Sequence, residues 1–214
     1  MASQNKIYWN AYYNLKKNND KPSSFALLVS KNYLNKHSVL VDVGSGDGRD
    51  SFLLRKKAKY VYSIDESSIA VKKNTLKVKK LGIKNITFKN LPSNDLKKIN
   101  NKNINFIYAR FFLHAIDENN ENNFLKNIKK TFKAETIIAL EFRTTKDLLM
   151  KKGKKISKYE RFTNHYRRFI DTYKFEKKLQ KMNFKIIYKK LGINLSKTPN
   201  DNPHLCRIIF STTL

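Results

Sequence analysis

The sequence predicts an α/β fold, a seven-stranded, mostly parallel sheet flanked by helices. Three observations carry this expectation. From Ser38 onward, short continuous apolar runs alternate with longer amphipathic ones, as buried strands joined by crossover helices do. The first apolar run ends in five residues holding three glycines and passes straight into a helical segment, the order strand, loop, helix. The composition supplies a core without crosslinks. Of 214 residues, 40% are hydrophobic and 12% aromatic, and the single cysteine, Cys206, can form neither an intrachain disulfide nor a cysteine-based zinc site. That length fits one domain, the apolar content excludes wholesale disorder, and the lone cysteine suits a reducing compartment.

The elements follow in order. Ile7–Leu15 carries Tyr8, Trp9, Tyr12 and Tyr13, and Pro22–Tyr33 reads as a helix with proline in its first turn. Both are expected to pack over the ligand edge of the sheet. Val39–Val43 is the first strand, Gly44–Gly48 the loop, and Asp50–Lys57 a helix. Val61–Ile64 is the second strand, ending at Asp65. Ser67 or Ser68 can cap the helix that runs to Leu81, and Gly82 stops it. Ile86–Lys89, Ile104–Phe111 and Thr136–Phe142 are the third to fifth strands, with a helix over Asn122–Phe132. Arg143–Asn164 interrupts the alternation with a polar, basic excursion that reads as a lid. Thr172–Met182 suits a helix, Lys185–Tyr188 a sixth strand and Leu205–Thr212 a seventh, while Pro199 and Pro203 keep the segment between those strands out of helix.

Charge is the second feature. There are 45 Lys and Arg against 17 Asp and Glu, a formal +28 at pH 7. Such a balance first suggests a nucleic-acid partner, because cations that neutralise phosphates release counterions. Only eight of the cations are Arg, the better bidentate phosphate fork, and the lysines are spread evenly beside abundant Asn. Nucleic acid is therefore a possible but not a favoured partner, and weak attraction to anionic surfaces follows from the charge alone. No apolar run reaches the roughly 20 residues that cross a bilayer, and Met1–Asn10 lacks the apolar stretch of a signal peptide. A cytoplasmic location is expected.

In an open α/β sheet, ligands sit beyond the carboxyl ends of the strands, where backbone N–H groups and a helix N-terminus face an anion. Glycine at 44, 46 and 48 lets the chain turn tightly there and lets a ligand approach without a Cβ in the way. The spacing is neither a dinucleotide-binding G-x-G-x-x-G, since Arg49 stands where its third glycine would be, nor a P-loop. Asp42, two residues before the loop, can accept hydrogen bonds from a cationic ligand or from the loop itself. Asp65, at the end of the second strand, suits a pair of ribose hydroxyls.

Through Val-Asp-Val-Gly-Ser-Gly-Asp-Gly-Arg-Asp at Val41–Asp50 and Ser-Ile-Asp-Glu-Ser at Ser63–Ser67, the sequence resembles the class I S-adenosylmethionine-dependent methyltransferases. The resemblance implies a Rossmann-like sheet with an antiparallel last strand and one catalytic domain over residues 1–214, with a helical cap at 1–36 and an inserted basic segment at 143–170. It implies S-adenosylmethionine as cofactor, its methionine end carried by Asp42, Gly44, Ser45, Gly46 and Gly48 and its ribose by Asp65. Arg49 is placed to pair with the cofactor carboxylate and Asn90 to meet the base, although the family often has an acid near that position. Arg110 joins this set, as a partner for an acidic ligand or in a structural pair with a carboxylate. No metal is implied, because a sulfonium methyl is already activated.

The acceptor is read from two segments. After the fourth strand, Ile107–Ile116 lacks the Asn/Asp/Ser-Pro-Pro-aromatic motif of enzymes that methylate base amines in DNA, and His114 is a candidate general base or a packing residue. Arg161–Ile170 holds Arg161, Arg167 and Arg168 with His165 and Tyr166. His165 is a candidate base, Arg167 and Arg168 candidates for catalysis and for an anionic acceptor, and Tyr13 and Tyr166 candidates for substrate contact; the alternative is a solvated basic turn. With the aromatic N-terminus, Pro22–Ala26 and Asn202-Pro203-His204, the region is similar to methyltransferases of sugars and surface polysaccharides. The expected activity is methyl transfer to a small acidic or hydroxyl acceptor, a sugar or glycan-linked phosphate. The alternatives are an RNA methyltransferase and a non-catalytic binding protein on the same fold.

Overall fold

Alternation of side chains along the strands sorts this sequence into two cores. In the computed structural model, which describes residues 2–15 and 21–213, β1 (Val39–Val43) is buried at every position. Val39, Val41 and Val43 face one core and Leu40 the other. The first core is closed by α5 (Glu118–Thr131), α6 (Thr172–Lys181) and a 3₁₀ turn over Ser93–Ile99, the second by α2 (Ser24–Asn32) and α3 (Arg49–Leu54). The remaining strands of the main sheet are β2 (Tyr60–Asp65), β3 (Ile86–Asn90), β4 (Phe106–Arg110), β5 (Ile137–Arg143), β9 (Phe184–Gly192) and β10 (Leu205–Thr212). Their order is β3-β2-β1-β4-β5-β10-β9. The pairs from β3 to β5 are parallel, and β10 runs antiparallel to both its neighbours. The seven strands and the antiparallel last strand expected from the sequence are all present, in a Rossmann-like arrangement.

Boundaries shift for physical reasons. The helix expected from Asn122 starts at Glu118, because Asp117 caps it by accepting from Asn120 N at 2.8 Å, although its first turn carries no apolar signal. The sixth strand runs past Tyr188 to Gly192, since pairing with β10 continues where the outward side chains are solvated. The excursion after β5 folds into a separate antiparallel sheet of β6 (Lys154–Lys155), β7 (Glu160–Phe162) and β8 (Tyr166–Arg168). At the other end of the site, α1 (Ala2–Leu15) lies beside α4 (Ser68–Lys80). Ser67 Oγ donates to Asn10 Oδ1 at 2.8 Å, and Lys73 Nζ donates to the carbonyls of Tyr13 and Asn14. Among the described residues no helix is long and apolar enough to cross a membrane.

Candidate active site

Gly44, Gly46 and Gly48 all take positive φ, at 72°, 52° and 75°, so the loop after β1 needs the left-handed freedom its sequence supplies. At Gly46 the need is also steric: a Cβ there would overlap the Tyr13 hydroxyl of α1. Asp65 holds the loop from β2. Its Oδ2 accepts from Gly46 N at 2.8 Å and its Oδ1 from Ser67 N at 2.7 Å. Burial pushes this carboxyl up to about 6, while the Ser67 and Gly46 amides hold it down. Asn74 secures the other side of the loop, donating to the Gly46 carbonyl at 2.8 Å. The Ser45 hydroxyl is buried and has no hydrogen-bond partner among the described residues, and Ser45 lines the cavity above the loop.

The face of the sheet toward α2 and α3 turns polar at the strand ends. Asp42 is 2% exposed and accepts from the Ser51 hydroxyl, which in turn receives Ser63 Oγ at 2.8 Å. Burial pushes the Asp42 carboxyl up to about 8, with the Ser51 bond opposing and Asp50 reinforcing the rise. Asp50 is fully engaged. Ser23 N reaches its Oδ1 at 2.7 Å, and Ser23 Oγ and Tyr108 OH reach Oδ2 at 2.7 and 2.8 Å. Ser23 also caps α2, so one carboxylate ties the helix start, β4 and the glycine loop's helix together. Arg110 lines the cavity as a member of a pair, its Nε donating to the buried Glu141 Oε1 at 2.8 Å. Glu141 also takes Arg207 Nε at 2.6 Å, so two guanidiniums share one carboxylate. Next to Arg110, Phe111 is held at φ 58°, a strained value for a bulky residue, by its N–H donating to the Glu141 carbonyl at 2.8 Å.

The arginine cluster of the sequence divides once β7 and β8 pair. Glu160 stands opposite Arg168 and Phe162 opposite Tyr166, so these four share one face, with Arg161 and Arg167 on the other. Arg168 is buried on Glu121 and on the carbonyls of Ile116 and Leu113. Arg161 spends its donors on the carbonyls of Met150, Ser157 and Glu160. Arg167 donates to Thr163 Oγ1. None of the three lines the cavity in which the glycine loop, Arg110 and Tyr166 meet.

The two candidate histidines also lie outside that cavity's lining. His165 stacks on Tyr8 with ring centroids 4.4 Å apart, contacts Trp9, and shares a 2.9 Å bond with Asn164. Burial, with Arg167 and Arg143 nearby, lowers it to about 3. His114 lies in the 3₁₀ turn Leu113–Ala115, where burial and then Arg143 push it well below the usual imidazole range. Both rings are neutral at pH 7 and lie outside the cavity lining. They dock elements against one another.

What the fold does gather is a cavity of about 520 Å³ beyond the carboxyl ends of β1, β2 and β4. Asp42, Gly44, Ser45, Gly46, Arg49, Asp65 and Arg110 line it, as do Tyr13 and Tyr166. Tyr13 rests with its hydroxyl against Gly46 of the glycine loop. Gly48 lies beneath, against Asn74 and Phe88. Asn90 does not line the cavity; its amide donates to the Asp65 carbonyl at 2.9 Å. Sequence reasoning did not single out Glu160, Asp50, Tyr108 or Trp9 as lining residues. Asp50 and Trp9 sit inside motifs already read, but nothing in the sequence marks Glu160, whose position depends on the hairpin around it.

A family model described as "Methyltransferase domain" matches residues 34–195. Solved structures share the fold. An S-adenosylmethionine-dependent methyltransferase from Methanosarcina mazei is 17% identical, with a TM-score of 0.72 over 86% of this chain and 96% of that one. Magnesium protoporphyrin IX methyltransferase from Synechocystis, solved with bound S-adenosylhomocysteine, is 18% identical with a TM-score of 0.66, covering 88% and 80%. Phosphoethanolamine N-methyltransferase 1 from Haemonchus contortus, in complex with phosphoethanolamine and S-adenosylhomocysteine, is 15% identical with a TM-score of 0.73, covering 99% of this chain and 49% of that one. No curated protein sequence matches.

Proposed function

The chain belongs to the methyltransferase-domain family, and from that premise we propose that it transfers the methyl group of S-adenosylmethionine to a hydroxyl of a small, uncharged acceptor of the sugar class. One observation carries the choice of acceptor: the cavity inverts the charge of the chain. Among the described residues lining it, seven are Asp or Glu and three are Lys or Arg, in a protein with 45 basic and 17 acidic residues. An acidic cavity favours a sulfonium and an ammonium and opposes a second anionic group. That argues against the phosphorylated acceptor, as does the commitment of Arg161 and Arg168 to protein partners. The neighbours' acceptors differ from one another, a porphyrin in one and phosphoethanolamine in another, so no acceptor is carried over from them.

The residues present fit the cofactor. The unpartnered Ser45 hydroxyl and the open glycine cradle offer polar contact and close approach, and Asp65 faces the ligand side of the loop, with the buried Asp42 carboxyl behind it. When bound, S-adenosylmethionine supplies an already activated methyl. The chain's part is to position the acceptor oxygen about 3 Å away and in line, to exclude water and to receive a proton. Of the two guanidiniums lining the cavity, Arg110 is paired with Glu141 and Arg49 is the one placed to take a carboxylate. In this reading residues 1–214 form one catalytic unit, with 1–36 covering the cofactor side and 143–170 the acceptor side.

The test is calorimetry with S-adenosylhomocysteine on wild type and Asp65→Ala, followed by labelled methyl transfer to methyl glycosides, sugar phosphates and RNA. Micromolar binding lost in the variant, with label entering neutral glycosides, is the expected result. Label entering only sugar phosphates or RNA overturns the acceptor assignment.

A further inference from the structure

We propose that Glu160 is the group that accepts the acceptor's hydroxyl proton and that Tyr166 orients it. This rests on the hydroxyl-acceptor reading above. The argument begins with the carboxylates of the cavity and asks which has an oxygen to spare in the right place. Asp50 has both oxygens occupied by Ser23 and Tyr108. Asp65 holds the Gly46 and Ser67 amides. Asp117 spends Oδ1 on Asn120 N and Oδ2 on the Asn120 amide, at 2.8 and 2.9 Å, in capping α5. Asp42 sits deep on β1 under the Ser51 hydroxyl, and Asp47 and Glu66 belong to the glycine-loop and β2 side. Glu160 alone among these comes from the small sheet. Its Oε1 accepts the Tyr166 hydroxyl at 2.5 Å, and among the described residues no donor reaches Oε2.

The location is on the acceptor side of the site. β8 packs against the 3₁₀ turn Leu113–Ala115 that follows β4, and Arg168 bolts it there through the Ile116 carbonyl at 3.0 Å and through Glu121. Asp65 lies on the opposite flank, at the end of β2. A ligand spanning from Asp65 past Gly44 therefore directs its far end toward Phe112, Ile116 and the Glu160–Tyr166 pair, all of which line the same cavity. The anchoring also answers a geometric demand, because a base must be held to within a fraction of an ångström. The charged and titratable groups around Glu160 are Tyr166 and Arg168 on β8, Asp117 at the start of α5 and Arg161, whose guanidinium donates to the Glu160 carbonyl at 2.8 Å.

The step balances without a co-reactant beyond the two substrates. The acceptor O–H proton moves to Glu160 Oε2 as the oxygen forms its bond to the methyl carbon, and the methyl–sulfur bond breaks with its electron pair passing to sulfur. The products are the methyl ether, S-adenosylhomocysteine and protonated Glu160, which returns its proton to water. Tyr166 keeps its hydroxyl proton throughout; burial and the bond to Glu160 raise it above the ordinary phenol range.

The experiment compares wild type, Glu160→Gln and Tyr166→Phe in three measurements. S-Adenosylhomocysteine binding by calorimetry reports whether the cofactor side is intact, and is expected to be unchanged. Titration of methyl glycosides into the S-adenosylhomocysteine-loaded protein reports the acceptor contact, and is expected to weaken several-fold in both variants. Steady-state rates against pH with the same glycosides are expected to show kcat down about 100-fold or more in Glu160→Gln, with KM raised only by the several-fold loss of binding and the acid limb of the profile gone. Tyr166→Phe is expected to fall about 10-fold and to keep that limb. A Glu160→Gln protein that binds cofactor and turns over with the wild-type pH profile overturns the proposal while leaving the hydroxyl-acceptor reading standing. A wild type that binds S-adenosylhomocysteine yet neither binds nor methylates any glycoside overturns both. If the pair merely staples the small sheet, both variants melt earlier and retain the acid limb, which also overturns the proposal.

Discussion

The two flanks of the cavity are built by different means. On the β1–β2 flank, backbone does most of the holding: three left-handed glycines, two loop and helix amides on Asp65, and one buried acid behind them. These residues lie within 26 positions of one another, from Asp42 to Ser67. On the β4–β8 flank, side chains from distant segments meet. Arg110 joins Glu141 and Arg207, Arg168 joins Glu121, and Glu160 joins Tyr166 across a three-residue hairpin turn. A shared cofactor can be held by a backbone device that any side chain nearby leaves intact, whereas an acceptor that varies between relatives needs side chains that can vary independently of the loop. The contrast predicts that damage on the first flank removes binding, and damage on the second removes stability or rate.

The largest expected effect is on the first flank. Gly46→Ala adds a methyl where the Tyr13 hydroxyl sits and places alanine at φ 52°, so S-adenosylhomocysteine binding should weaken by at least about 1000-fold in calorimetry. Adding Tyr13→Ala removes the overlap but not the backbone strain. The double variant should regain only part of the loss, and full recovery would mean that the positive φ carries no cost there.

Next comes Asp42. Its carboxyl titrates at about 8 in the folded chain and near 3.8 when unfolded, so between those values the folded state holds a proton that the unfolded state has shed. Stability therefore falls as pH rises through that window, and Asp65, raised to about 6, adds in the same direction over a narrower range. Asp42→Asn removes the larger contribution. It should match wild type in thermal melting near pH 4 and exceed it by roughly 6 kcal/mol at pH 9, while losing cofactor affinity. Equal melting at pH 9 would show that Asp42 is solvated as a carboxylate.

On the second flank the expected effect is on folding. Arg168→Ala leaves the buried Glu121 with Lys178, at 2.5 Å, as its remaining cation, and should cost about 2–3 kcal/mol in urea unfolding. Arg167→Ala, which removes a bond to Thr163 on the exposed face, should cost less than about 0.5 kcal/mol. A reversal of that order would place Arg167, not Arg168, at the joint between the small sheet and α5.

This asymmetry also explains how far the sequence could be read. The strands, their parallel run and the acids beside the glycine loop were legible because each is written locally, in a continuous apolar run or a motif of ten residues. Asp65 and Asp42 needed no knowledge of the third dimension. Arg168 and Arg167 are adjacent, and only the period of β8 turns one onto Glu121 in the interior and the other onto the opposite, half-buried face. Glu160 carries no local mark, and its partner lies across a turn. Asn90 looked like a base contact from its place after β3, but the Asp65 carbonyl claims its amide. The charge told the same story at larger scale: the formal +28 describes the surface, while the acids, few as they are, collect where the chemistry is.

The smallest expected effect is at His165. A histidine at the mouth of a methyltransferase site invites assignment as the base, but a base must be unprotonated, within reach of the acceptor and able to gain a proton during the step. His165 meets the first condition only. Its ring is stacked on Tyr8, bonded to Asn164 and lowered to about 3 by burial and by Arg167 and Arg143, so taking up a proton there would place a cation among guanidiniums. His165→Gln keeps a polar group for Asn164 and removes the imidazole. The variant should therefore keep kcat within about 3-fold of wild type and leave the acid limb of the rate profile where it was. Its one measurable change should be a modest rise in the Kd for S-adenosylhomocysteine, because Tyr8 and Trp9 lose the ring that docks α1. Loss of the acid limb in His165→Gln, with Glu160→Gln retaining it, would move the base from the floor of the small sheet to its rim.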